Sequence, residues 1–185
     1  MNKIILICLL LISIECYDRN GGVQYAHDHV HNINHECGDY ISCTPCSYWG
    51  NEHCGYGGNG GDCANFVSQC LVLGGGHPKL TGSENCRGYP CGFEEIGATR
   101  LGLCLELKGW TRTCGYYLDP PSNIQAGDVL IYHVDSCDSW DAHAVYVTEG
   151  APNALITCHS NEQLDVSYTY MGTSMPYYQW IHYKD

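Results

Sequence analysis

GGDCANFVSQCLVLGGG, residues 60–76, is the stretch on which the reading of the chain turns. Phe66, Val67, Cys70 and Leu71 follow Cys63 at +3, +4, +7 and +8, the spacing of one buried helix face. Asp62 supplies an N-cap and Gly74 to Gly76 a stop, so the pattern predicts a helix over 62–73 with Cys63 at its first position. There the unpaired backbone N–H groups and the macrodipole favour an anion, the condition that lowers a thiol's pKa and populates a thiolate nucleophile. Gly60 and Gly61 leave room for a substrate backbone to approach. The competing reading makes Cys63 one more half-cystine, and spacing alone leaves the two open.

Outward from this helix, the whole chain sets the class. Its 185 residues fit one domain, and its 14 cysteines, about 8%, are the usage of a disulfide-braced exported protein. A hydrophobic content of 44%, with 15 Tyr and 4 Trp, is enough for a packed core. Lys and Arg number 8 against 20 Asp and Glu, a formal charge of −12. That is too few cations to neutralise a run of phosphates, which argues against a nucleic-acid partner. In MNKIILICLLLISIEC (1–16), Lys3 precedes an apolar run from Ile4 to Ile14 that Glu15 closes. The run is shorter than the ~20 residues of a bilayer span and reads as a cleaved secretory signal. Residues 17–185 are then expected to form a single secreted, extracellular domain with no membrane attachment.

Val23, Ala26, Val30 and Ile33 recur at helical spacing behind Asp18, which predicts a helix over 18–33. Residues 35–61 show no periodicity and read as loop, and 74–126 is irregular except for a short helix at 98–110. After Pro120 and Pro121 the pattern becomes short β runs at 128–134, 143–148, 154–160, 165–170 and 177–183, with a turn at 150–153. Helices first and an antiparallel sheet afterwards give an α+β layout.

His143 opens one of these runs, HAVYVT, and a thiol at a helix N-terminus facing an imidazole on a strand is a nucleophile–base arrangement. The chain resembles the putative amidase domain family, a branch of the papain-like cysteine hydrolases related to bacterial cell-wall endopeptidases and amidases. The resemblance runs through YDRNGGVQYA (17–26), GGDCANFVSQCLVLGG (60–75), AGDVLIY (126–132), HAVYVTEG (143–150), LITCHSN (155–161) and QWIHY (179–183). It implies a papain-like fold, Cys63 as nucleophile and His143 as base. It also implies a polar partner for His143 on the next strand, and a Tyr near the oxyanion site, for which Tyr56 is the candidate. With period two, Leu155, Thr157, His159 and Asn161 share a face, so His159 and Asn161 are expected to face His143, with His159 ahead. The 35–61 and 81–115 segments hold more cysteines than the family pattern.

His27, His31 and His35 fall on one helical face, a divalent-metal patch or, as the better reading, a solvated polar face. Cys43 and Cys46 read as disulfide partners rather than metal ligands. With Cys8 and Cys16 in the signal, 12 of the 14 cysteines remain, and setting Cys63 aside leaves an odd number. Cys158, on a buried strand, is the candidate for the unbridged thiol, with Cys70 as the alternative. The expectation is a disulfide-rich secreted cysteine hydrolase that cleaves a C–N bond in a peptide or peptidoglycan stem, without cofactor or metal. The alternatives are a non-catalytic extracellular structural or binding protein on the same fold, and a transferase using the same thioester.

Overall fold

Asp18 accepts a hydrogen bond from the Gly21 amide at 3.0 Å and so caps α1, Arg19–His29. This is the first element of a computed structural model that describes residues 17–31, 63–80, 97–159 and 162–184. The secretory signal, His35, the Cys43/Cys46 pair, Tyr56 and Asn161 lie outside the described residues. The helix read from 62–73 is present as α2, Cys63–Gln69, followed by a π-helical turn, Cys70–Gly74. In that turn the Gly75 amide reaches back to the Cys70 carbonyl at 2.9 Å, so the second half of the helix is wound wider than the spacing implied. The third helix, α3, spans Ala98–Leu107 and ends earlier than expected, because Gly109 takes a left-handed φ of +92°.

Six strands follow: β1 Thr111–Tyr116, β2 Val129–His133, β3 Ala142–Glu149, β4 Leu155–Cys158, β5 Gln163–Ser167 and β6 Tyr177–His182. They form one antiparallel sheet in the order β1-β6-β2-β3-β4-β5. β1 is missing from the sequence reading, since TRTCGY shows no apolar alternation. It is an edge strand held by β6 and by the Cys114–Cys137 disulfide to the β2–β3 loop. Cys104 is also disulfide-bonded. Cys158, the last residue of β4, is a buried free thiol packed as a small hydrophobe among Tyr132, Val145 and Ile156.

The inner strands of the sheet are buried on both faces. Against the helices lie Val129, Ile131, Ala144, Tyr146 and Ile181, under Phe66, Val67, Leu71, Leu101 and Leu105. On the other side Leu130, Tyr132, Val145, Val147, Ile156 and Trp180 pack beneath Ile124, Ala154 and the flanking loops. Each such side chain contributes roughly 1.5–3 kcal/mol by leaving water. The helix layer is drawn in by glycine. A Cβ on Gly22 would run into the Tyr146 hydroxyl and meet the Cys70 carbonyl at 3.1 Å, so only glycine lets α1 sit this close to the π-helical turn and β3. The start of α1 is fixed to the sheet by Asp128, fully buried before β2. It takes Arg19 Nη1 at 2.7 Å, His182 Nδ1 at 2.8 Å, and the amides of Gln125 and Tyr183 at 2.9 and 3.1 Å.

Candidate active site

Cys63 is the first residue of α2, carries a thiol, and is buried with 6% of its surface exposed. α2 packs on β3 and β4, and three contacts fix how it lies there. The Cys70 carbonyl and the Tyr146 hydroxyl crowd the same glycine, Gly22, so Cys70 sits over the Tyr146 part of β3. One turn back, the Phe66 ring stacks on the His159 imidazole with centroids 4.7 Å apart and planes 6° from parallel. β3 and β4 pair Tyr146 with Thr157, and continuing that register by two residues brings His159 level with Ala144. From Cys70 to Phe66, α2 therefore travels toward the start of β3. The turn before that carries Cys63 to the head of the strand, where Ala142 packs on the same core.

The two imidazoles of the sequence reading sit differently around this helix end. Antiparallel partners share a face, so Tyr146, Thr157, Ala144 and His159 all lie on the helix side. His143, one residue off, does not: it stands opposite Tyr132 on β2, its ring stacked at 6.3 Å and 12° on a tyrosine of the far face. His143 thus stacks on Tyr132 of β2, and His159 on Phe66 of α2.

His159 is 3% exposed, and its Nε2 lies 3.2 Å from the His29 carbonyl at the end of α1. A carbonyl only accepts, so this nitrogen carries the hydrogen. Asn161 lies outside the described residues, so its place relative to either imidazole is not described. The shared face of His27 and His31 is met by carboxylates: His27 Nε2 is 3.1 Å from Asp165 Oδ1 and His31 Nδ1 is 3.5 Å from Glu162 Oε2. Among the described residues, no three His, Cys, Asp or Glu side chains gather as a metal site.

Two features of the site have no sequence signature: the backbone carbonyl that meets His159, and the Phe66 ring beneath it, which spacing marks only as core. The arrangement places a thiol at a helix N-terminus and an oriented imidazole on one face, which is the equipment for covalent acyl transfer. The family described as a putative amidase domain matches residues 16–183. No curated protein and no solved structure matches the chain.

Proposed function

From the premise that the chain belongs to the putative amidase domain family, which suggests an amide hydrolase, we propose that it is a secreted cysteine hydrolase of papain-like plan. Its substrate is an amide in a peptide or peptidoglycan stem. The carrying observation is the Cys63 thiol at the first position of α2, a helix packed on β3, which bears His143, and on β4, which His159 follows.

In this reading an imidazole takes the Cys63 proton and the thiolate attacks the amide carbonyl carbon. The backbone N–H of Cys63 and a neighbouring donor stabilise the oxyanion. The C–N bond then breaks, the imidazolium gives its proton to the leaving amine, and a thioester remains. Water, deprotonated by the same imidazole, hydrolyses the thioester and restores the thiol.

The resemblance implies His143 as the base, with His159 or Asn161 as its positioning partner, and α2 packs on β3, the strand that carries His143. For His143 to act, its ring must turn away from Tyr132. A specific observation favours a second assignment, with His159 as the base: it stacks on Phe66, one turn along α2 from Cys63.

The test is amine release from a panel of short peptides and muropeptides by the wild-type chain and by Cys63→Ala, His143→Ala and His159→Ala. Loss of the base should lower turnover by about 10²–10⁴-fold. Full activity in Cys63→Ala contradicts the thiol mechanism. An equally full effect from only one histidine assigns the base.

A further inference from the structure

α1 ends where its carbonyls run out of partners. The last four C=O groups of a helix have no amide of their own to accept from, and the aligned peptide dipoles leave partial negative charge there. One of these carbonyls, that of His29, accepts from His159 Nε2 at 3.2 Å. With the hydrogen on Nε2, the lone pair of a neutral ring is on Nδ1. The Phe66 stack fixes the plane of the same ring.

The turn that presents this carbonyl is fastened on both sides of His29. Before it, His27 meets Asp165, whose Oδ1 also accepts from Thr148 Oγ1 at 2.6 Å. After it, His31 meets Glu162. The His29 ring itself stacks on Tyr25 at 4.1 Å. Glu162, just before β5, and Asp165, in the middle of β5, both hold left-handed backbone, with φ of +24° and +50°. Such a conformation is uncommon outside glycine, less so for an aspartate than for a glutamate, and strain of this kind persists where the surroundings over-determine it. Here both strained residues deliver a carboxylate to the same turn of α1.

Building on the second assignment above, with His159 as the base for Cys63, we infer that the C-terminal turn of α1 is a positioning device for His159. The His29 carbonyl holds the ring as its Nε2–H tautomer and leaves Nδ1 as the basic nitrogen. The negative end of the helix then stabilises the imidazolium that forms when the thiol proton is taken up. A side-chain carboxylate does this for the imidazole of a serine hydrolase triad, whereas here the backbone does it, and His27 and His31 with their carboxylates hold that backbone in place.

The experiment uses the full chain labelled with 15N-histidine, with the His159 signals assigned by His159→Gln. Long-range proton–nitrogen spectra are recorded at a pH where the ring is neutral. Wild-type His159 should show the Nε2–H pattern. In the double variant His27→Ala/Glu162→Gln, folded by its amide spectrum, the pattern should move toward a tautomer mixture, while kcat falls about tenfold and KM changes less than about twofold. The single variant Asp165→Asn, which keeps a residue that tolerates left-handed backbone, should show the same change in weaker form. A wild-type His159 in the Nδ1–H form overturns the inference, as does a loosened variant that keeps both tautomer and kcat. If the tautomer responds as described but the wild-type chain cleaves no amide, the positioning stands and the hydrolase reading fails.

Discussion

Removing the Asp128 carboxylate should take away a large share of the protein's stability. Its side chain is fully buried and serves four donors: Arg19 Nη1 and the Tyr183 amide on Oδ1, His182 Nδ1 and the Gln125 amide on Oδ2. Asp128→Ala strands two backbone amides at about 1–3 kcal/mol each and breaks a buried ion pair, for which about 3–5 kcal/mol is usual. These overlap, and Arg19 keeps the carbonyls of Ala126 at 3.1 Å and Tyr183 at 2.8 Å, so the net expectation is about 4 kcal/mol. Asp128→Asn keeps acceptor capacity and loses the charge, for about half of that loss. Against a total of roughly 5–15 kcal/mol, the alanine variant sits near the edge of folding. Urea unfolding followed by tryptophan fluorescence reads the change as a midpoint lowered by about 2 M. A double-mutant cycle with Arg19→Met should give a coupling above about 1.5 kcal/mol. An alanine variant within about 1 kcal/mol of wild type, or strict additivity with Arg19→Met, would refute the reasoning that this carboxylate fastens α1 and β6 to β2.

Burial holds the imidazoles of His77 and His133 below the usual histidine range. Their folded pKa values thus lie under the unfolded value of about 6.5, the unfolded chain binds more protons as pH falls past that point, and stability declines from there downward. Urea midpoints at several pH values between about 7.5 and 5 should show the decline, and His77→Gln/His133→Gln should flatten it. Replacing both Cys114 and Cys137 by Ala opens a loop spanning 23 residues and should lower stability by about 3 kcal/mol, read in the same assay. Gly22→Ala forces α1 off the Tyr146 hydroxyl and should cost about 1–3 kcal/mol, visible as a lower melting temperature. A melting temperature equal to wild type would mean that α1 has room there.

Much of the fold is legible in residue pattern because local chemistry decides it. Asp18 caps α1 as its side chain dictates, the apolar spacing after Cys63 gives the buried face of α2, and VLIYH and HAVYV are strands by β-branched and aromatic content. β1 was illegible because its stability comes from neighbours: TRTCGY is polar and holds glycine, and pairing with β6 and a disulfide keeps it in the sheet. How His143 and His159 stand to one another is not legible in the sequence for a similar reason. Alternation within a strand is local, but which face two strands share depends on their register, here interrupted between Val147 and Glu149. The His29 carbonyl was beyond reach altogether, since every residue carries one and only the end of a helix leaves it available.

The central claim is that Cys63 is an activated nucleophilic thiol, and alkylation of the native oxidised protein tests it most directly. A short exposure to substoichiometric iodoacetamide near neutral pH, followed by peptide mapping without reduction, compares Cys63 with Cys70 and Cys158, which are thiols more deeply buried. The account predicts that the label appears first on the peptide containing Cys63, in step with loss of amide hydrolysis. A Cys63 that stays unlabelled until the chain is unfolded, or that is recovered in a disulfide-linked peptide, would contradict it.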